Sequence, residues 1–242
     1  MTKCINTLTL AEAYKQCIQY IVWPQNHRVV ITEDNEKVWR SRDTIVVHVD
    51  TPSNDLATLV DYYPWGPQAM EEYVAGIMGT DHRVTKDTKD DFAYSYHQRL
   101  CNYEVLQNLE VISPVDGVKR YNTRLTIVDQ INEIITRLNT SPTSRRACAI
   151  TWRPYDDNYT NTHSPPCLQW LKCEIVDGRL NMYTLWRSRD VLLGLGANIY
   201  AIHHLHCAIA SQCGVKVGFY EDVMVDAHIY FERDVNYLKR WL

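Results

Sequence analysis

The sequence SPPCLQWLKCEIVDGRLNMYTLWRSRD, residues 164–190, decides the fold of this chain. Asp177-Gly178 at its centre is a strong signal for a two-residue hairpin turn, and the flanking segments alternate loosely, as paired strands do. With such a turn Val176 faces Arg179, and counting outward places Cys167 opposite Ser188. The sequence therefore predicts a long β-hairpin with a cysteine at its open end.

Cys167 is the candidate reactive group of this hairpin. Pro165-Pro166 precede it, and their fixed φ angles and missing N–H groups stiffen the chain just before the strand. The predicted ladder brings Arg187 and Arg189 near the thiol, and a nearby guanidinium lowers a thiol pKa from about 8.5. We therefore expect Cys167 to be a nucleophile that arginine, rather than histidine, activates.

Four motifs in this order resemble those of the thymidylate synthase family: the Pro-Cys strand end, RSRD at 187–190, Asn198 eight residues after Asp190, and HIY at 228–230. The match is specific over residues 145–232. In that family the cysteine adds to the pyrimidine, Arg-Ser-x-Asp binds phosphate and folate, the asparagine reads the base, and His-x-Tyr holds the ribose. The resemblance implies a catalytic pair, Cys167 and Asp190. The nucleotide-binding residues that it implies are Arg187, Ser188, Asn198, His228 and Tyr230. The folate-binding residues that we expect are Asp190, Gly194 and Trp65.

The same resemblance assigns two catalytic residues in the N-terminal half, with the register left open. The family has a glutamate that organises water at the pyrimidine carbonyl, and Glu72 or Glu71 fits its place. It also has a tyrosine that helps to remove the C5 proton, for which Tyr96 is preferred over Tyr94. An N-terminal arginine of the family binds phosphate, but Arg40 and Arg42 lack the Arg-Thr-Gly type of turn and are read as surface residues.

Arg145-Arg146 stand just before a predicted strand. Two adjacent arginines are common on protein surfaces, but their place ahead of SPPC matches a family pair that binds phosphate in the other subunit's site. The resemblance therefore implies a homodimer with shared active sites. A dianionic phosphate would also balance the crowded positive charges.

Composition limits the function classes. The chain has 242 residues, of which 45% are hydrophobic and 22% are charged, so residues 1–242 are expected to form one domain. A net charge of −4 argues against nonspecific nucleic-acid binding. There is no long apolar run or signal-peptide pattern, so we expect a cytoplasmic protein that does not bind membranes. The eight cysteines form no CxxC pair, and His203, His204 and His206 have no suitably spaced partner, so no metal site is expected.

Periodicity predicts the other elements. The predicted helices cover residues 10–21 after a Thr9/Glu12 capping box, about 68–78, 126–138, and 191–213 before Gly214. The predicted strands include residues 44–49 and 222–230. We expect an α/β fold of the thymidylate synthase type, with a large mixed twisted sheet, helices on one face and the partner subunit on the other.

The expected reaction is the reductive methylation of dUMP to dTMP with 5,10-methylenetetrahydrofolate, through a covalent bond between Cys167 and C6. A pyrimidine nucleotide 5-hydroxymethylase acting on dUMP, dCMP or CMP is the alternative, and an inactive nucleotide-binding homologue is a third reading. Asn198 favours uracil. Three departures favour hydroxymethylation: Leu168 where histidine is common, Gly196-Ala197 where Pro-Phe is usual, and only twelve residues after Tyr230. Trp65 or Trp186 would then have to exclude water.

Overall fold

The computed structural model describes residues 1–53, 59, 61, 63–80, 94–112, 119–159 and 164–242, with the main chain alone for 108–112 and 120–122. The helices in this part of the chain are α1 (Leu10–Val22), α2 (Pro67–Met78), α3 (Tyr96–Cys101), α4 (Gln130–Thr140), α5 (Pro154–Asp157), α6 (Gly194–Gln212) and α7 (Val235–Leu238). The strands are β1 (Thr2–Thr7), β2 (His27–Ile31), β3 (Lys37–Ser41), β4 (Thr44–Val49), β5 (Tyr103–Ile112), β6 (Lys119–Val128), β7 (Cys148–Ile150), β8 (Leu168–Val176), β9 (Arg179–Trp186), β10 (Arg189–Asp190), β11 (Lys216–Met224) and β12 (Ala227–Ile229). None of the described helices is long and apolar enough to cross a membrane.

The described strands form two main sheets and a hairpin. The large sheet has the order β1-β4-β11-β9-β8-β7, and the smaller one has the order β10-β12-β3-β2. Strand β11 runs parallel to β9 and antiparallel to β4, so the large sheet is mixed. Strands β5 and β6 pair with each other. The mixed α/β architecture expected from the sequence is confirmed.

The core lies between the large sheet and helices α1, α4 and α6, which contact its strands. Alternate residues of β4 are buried, among them Ile45, Val47 and Val49, because successive side chains of a strand point to opposite faces. Helix α6 is buried on most sides, since it packs on the sheet and also on α1 and α2. A helix in this position can carry a polar side chain into a desolvated site.

Two neighbouring strands cross together from the large sheet to the small one. Strand β9 of the large sheet ends at Trp186, and the chain continues as β10 of the small sheet. In the same way, the adjacent β11 ends at Met224 and the chain continues as β12. Strands β10 and β12 stay parallel, and the Val225 amide donates to the Trp186 carbonyl at 3.0 Å to hold the crossing. The junction between the sheets therefore falls within the RSRD motif.

Several local predictions are confirmed. The Thr9/Glu12 capping box begins α1, and Gly214, with φ +66°, follows the end of α6. The hairpin turn has φ +50° at Asp177 and +69° at Gly178, the positive values of a type I′ turn. These features depend on a few adjacent residues, which is why the sequence shows them.

Four element boundaries were wrong. The helix predicted at 126–138 begins at Gln130, because Asp129 caps it and the β-branched residues before it extend β6, where Ile127 is exposed. The single strand predicted at 222–230 is divided between β11 and β12. The partner strand of the hairpin ends at Trp186, and α6 begins at Gly194 rather than at Val191.

Candidate active site

A β-bulge sets the position of Cys167. The hairpin keeps the predicted register from Val176–Arg179 to Trp170–Leu185, but then shifts, so that Leu168 pairs with Trp186. The Arg187 amide donates to the Cys167 carbonyl at 2.9 Å. The prediction that Cys167 lies opposite Ser188 was therefore wrong by one residue, because the extra residue of the bulge, Gln169, lies in β8.

The side chain of Arg187 holds the segment before the thiol. Its Nε donates to the Pro166 carbonyl at 2.9 Å and its Nη2 to the Pro165 carbonyl at 2.6 Å. Its guanidinium also lies 5.8 Å from the centre of the Trp152 ring. The two prolines cannot donate main-chain hydrogen bonds, but both of their carbonyls accept from the Arg187 side chain. The amide of the same arginine pairs with the Cys167 carbonyl.

The surroundings of Cys167 raise the pKa of its thiol, whereas the sequence predicted that nearby arginines would lower it. Burial raises the pKa of the thiol, Arg187 and Arg189 lower it by less, and Asp190 raises it further. The prediction of an arginine-lowered pKa was therefore wrong in its net direction. The guanidiniums act as expected, but the cost of placing a charge in a desolvated site is larger.

Asn198 is held by two side chains from different parts of the chain. Arg189 Nη1 donates to Asn198 Oδ1 at 2.7 Å, and Asn198 Nδ2 donates to the hydroxyl of Tyr73 on α2. Arg189 also forms an ion pair with Asp222, and both side chains are only 1% exposed. The amide is thus fixed at both ends, on the helix next to the RSRD motif.

Asp190 lies at the start of the turn into α6. Its Oδ1 accepts from the Leu192 and Leu193 amides at 3.1 Å each, and its Oδ2 accepts from Arg233 at 2.8 Å. A Cβ on Gly194 would lie 3.5 Å from Asp190 Cβ and 3.6 Å from Asn198 Oδ1. Glycine therefore keeps open the space between the carboxylate and the amide.

Tyr73 on α2 contacts Asn198, and a second aromatic side chain lies next to Tyr73. The half-buried Trp65 ring lies 6.0 Å from the Tyr73 ring. Trp186 is fully buried, with the Arg189 guanidinium 3.3 Å from its ring centre. Of the two tryptophans expected to exclude water, only Trp65 is accessible enough to do so.

His228 and Tyr230 lie together at the junction. Their ring centres are 5.0 Å apart, His228 pairs with Arg40 across β12 and β3, and the Val191 amide donates to the His228 carbonyl at 2.8 Å. Arg40 itself forms an ion pair with Asp226 at 2.8 Å. The ribose-binding residues predicted from the motif are thus next to Asp190.

The N-terminal candidates divide into two groups. The hydroxyl of Tyr96 accepts from the Leu168 amide at 3.3 Å, so this side chain is next to Cys167, and Tyr94 stacks edge-on against it at 5.6 Å. Burial raises the pKa of both phenols. Glu71 and Glu72 are exposed on α2, and Gln68 donates to Glu72 at 3.1 Å.

Arg145 and Arg146 lie away from Cys167. They line a groove of about 450 Å³ together with Arg137 and Glu133. The Cys173 amide donates to the Ala147 carbonyl at 2.9 Å, so the pair is at least six residues along β8 from the thiol. At about 3.3 Å per residue this is roughly 20 Å.

Sequence reasoning missed three residues of the site: Tyr73, Asp222 and Arg233. A signal existed for Asp222, because a carboxylate that alternates with uncharged residues on the buried face of a strand requires a cationic partner. Tyr73 and Arg233 gave no comparable signal, since their contacts span 125 and 43 residues of sequence.

The chain is similar to known proteins over most of its length. A family model described as thymidylate synthase matches residues 19–240. A protein of Methanocaldococcus jannaschii named "Putative thymidylate synthase" is 32% identical over 241 residues, covering 98% of this chain and 95% of that protein. A protein of the same name from Methanosarcina acetivorans is 31% identical over 210 residues, covering 87% of this chain and 82% of that protein.

Proposed function

The chain belongs to the thymidylate synthase family, and from that premise we propose that it transfers a one-carbon unit to C5 of a pyrimidine nucleoside monophosphate. The reaction that we favour is the reductive methylation of dUMP to dTMP. The observation that carries this proposal is that Arg187 pairs with Cys167 at the end of the large sheet, and that Arg189, two residues further on, binds Asn198. This arrangement supports the roles of nucleophile, phosphate ligand and base-reading amide that we propose for Cys167, Arg187 and Asn198.

The first step is addition of the Cys167 sulfur to C6 of the pyrimidine. C5 of the ring is a poor nucleophile until this bond forms, and the addition leaves negative charge on the enolate oxygen at position 4. Asn198 Nδ2 has a second N–H that can donate to this oxygen. Burial raises the pKa of the Cys167 thiol, so the thiol proton is transferred as the C–S bond forms, and the enolate oxygen at position 4 can accept it.

The co-substrate is 5,10-methylenetetrahydrofolate, which supplies the carbon and, for methylation, the hydride. Asp190 has lone pairs left after its three hydrogen bonds and can accept from the N–H groups of a pterin ring. The half-buried Trp65 offers such a ring an apolar surface, and Gly194 leaves room beside the carboxylate. Tyr96 lies beside the nucleophile, where it can assist loss of the C5 proton.

Arg187 and Ser188 are the proposed phosphate ligands within the chain. Two donors of Arg187 are used on the proline carbonyls, and its Nη1 has no acceptor among the described residues. That nitrogen can therefore donate to a phosphate oxygen without disturbing the segment before the thiol. His228 and Tyr230 are the proposed ribose ligands.

We further propose a homodimer in which Arg145 and Arg146 bind the phosphate in the partner's site. Their distance of roughly 20 Å from Cys167 along β8 supports this assignment over a role in the site of their own chain. If sites are shared, mixing Cys167→Ser with an Arg145→Ala/Arg146→Ala variant should restore about a quarter of the activity, since half of the dimers gain one intact site. Two inactive variants that stay inactive after unfolding and refolding together would refute the shared site.

Hydroxymethylation is the second candidate, because Trp186 is buried in the core, so that of the two tryptophans expected to exclude water only Trp65 is accessible. Both reactions release the C5 proton, so tritium release from [5-³H]dUMP and [5-³H]dCMP with methylenetetrahydrofolate tests the class. The two products differ by one oxygen in mass, and dihydrofolate forms only in methylation.

Cys167→Ser should abolish tritium release and keep nucleotide binding. Full activity in that variant would refute the mechanism, and no release by the unchanged protein would indicate an inactive homologue.

A further inference from the structure

We propose that Arg189 is a positioning residue that fixes the orientation of the Asn198 amide, and that it thereby sets the choice between uracil and cytosine. This inference rests on the proposed function, because it assumes that Asn198 reads the base. It assigns to the third residue of RSRD a role in specificity that is separate from phosphate binding.

The orientation follows from the chemistry of the guanidinium. Arginine has five N–H donors and no acceptor, so the Asn198 atom 2.7 Å from Arg189 Nη1 must be the oxygen. The amide nitrogen then faces the Tyr73 hydroxyl. A hydroxyl can donate or accept, so Tyr73 is compatible with either orientation, and only Arg189 discriminates between them.

Arg189 cannot readily move to allow the amide to flip. Its Nη2 is ion-paired with Asp222, and its guanidinium lies on the Trp186 ring. Asp222 Oδ1 in turn accepts from Thr184 at 3.0 Å. All four side chains are almost completely buried, so the orientation of the amide depends on a network that solvent does not reach.

The two bases need opposite orientations of the amide. Uracil offers an N–H donor at position 3 and an oxygen acceptor at position 4, whereas cytosine offers an acceptor at position 3 and an amino donor at position 4. One asparagine can pair with either base, but only by turning its amide over. With the oxygen held by Arg189, a flip would place an amide N–H against a guanidinium N–H and leave both donors buried without a partner.

The test removes the donor-only residue while keeping charge balanced. In Arg189→Gln/Asp222→Asn, glutamine can donate or accept, so the amide is free to turn. Arg189→Lys restores a donor-only side chain, and Asp222→Asn alone is the matched control that retains Arg189. Dissociation constants of dUMP and dCMP are measured for each by calorimetry, together with kcat/KM from tritium release.

We expect the wild-type preference for dUMP over dCMP to fall on the order of tenfold or more in the double variant, because a site that hydrogen-bonds one base rejects the other by unpaired polar groups. The preference should stay within about twofold of wild type in Arg189→Lys and Asp222→Asn. A merely structural role would weaken both nucleotides equally and leave their ratio unchanged. An unchanged ratio in a folded double variant overturns the inference.

A second variant keeps the inference testable if the double variant does not fold. Tyr73→Phe leaves Arg189 in place, so the dUMP preference should survive even if both affinities fall. Loss of the preference in Tyr73→Phe would show that the tyrosine sets the orientation and would refute the role of Arg189. If the wild-type protein binds neither nucleotide, the proposed function itself fails, which is a different result from binding with an unchanged ratio.

Discussion

Replacing Gly196 in α6 with alanine should destabilise the protein, although this substitution in a helix normally stabilises. A Cβ at this position would lie 2.5 and 2.7 Å from two ring carbons of Tyr63. Carbon atoms pack at about 3.5 Å, so the ring would have to move by about 1 Å. Tyr63 is 3% exposed, packs edge-on against Tyr14 at 5.4 Å and donates to the Leu193 carbonyl, so it has little room to move.

The expected magnitude follows from two opposing terms. Overpacking costs about 1–3 kcal/mol, and alanine in place of glycine inside a helix gains about 1 kcal/mol. Gly76 in α2 is the matched control, because nothing lies within 4 Å of a Cβ built there. The free energies of unfolding of Gly196→Ala and Gly76→Ala should therefore differ by about 1–3 kcal/mol, with Gly76→Ala the more stable.

Urea unfolding of the two variants and the wild-type protein measures this difference. A double-mutant cycle assigns the cause: in a Tyr63→Ala background, Gly196→Ala should become as favourable as Gly76→Ala. Equal stabilisation by both single alanines would refute the steric argument. So would a Gly196→Ala cost that persists without the Tyr63 ring.

Two further predictions concern the thiol and a buried ion pair. Because burial raises the pKa of Cys167, its thiolate fraction at neutral pH should be below that of an unstructured cysteine peptide, and iodoacetamide should alkylate it mainly above about pH 8.5. Arg187→Gln removes a charge that lowers the Cys167 pKa, so alkylation of this variant should require a still higher pH. Alkylation is followed by peptide mapping with mass spectrometry. Alkylation that began at a lower pH than in the cysteine peptide would contradict both expectations. Asp157→Asn leaves the 4%-exposed Arg99 guanidinium without its bidentate partner and should cost about 3–5 kcal/mol in urea unfolding. Glu104→Gln, which alters a partly exposed pair with Arg153, should cost less than about 1 kcal/mol, and equal costs would contradict the role given to burial.

The sequence predicted those parts of the fold that depend only on adjacent residues. The Asp177-Gly178 turn and the Thr9 cap need only their neighbours, and they are present as expected. The motif residues around Cys167 were found because their spacing matches a family. The helix predicted from Thr126 failed because pairing with β5 extends the strand, which no local pattern shows.

The electrostatics of the site could not be predicted for a related reason. The sequence places Arg187 and Arg189 beside the thiol, but it does not show that the thiol is buried or that Asp222 takes up one of the two positive charges. A pKa depends on the balance between desolvation and neighbouring charge. Only the structure shows both terms.

The bulge at Gln169 makes the number of residues in β8 as important as their identity. Between the turn and the bulge the odd-numbered side chains of the strand face the core, and beyond it the even-numbered Leu168 does so. Deleting one residue at the bulge would turn the side chains at the end of β8 to the opposite face of the sheet. The Cys167 sulfur would then point away from its present neighbours. Substitutions at position 169 keep the length of β8 and therefore this arrangement, whereas the deletion of one codon would abolish it at once.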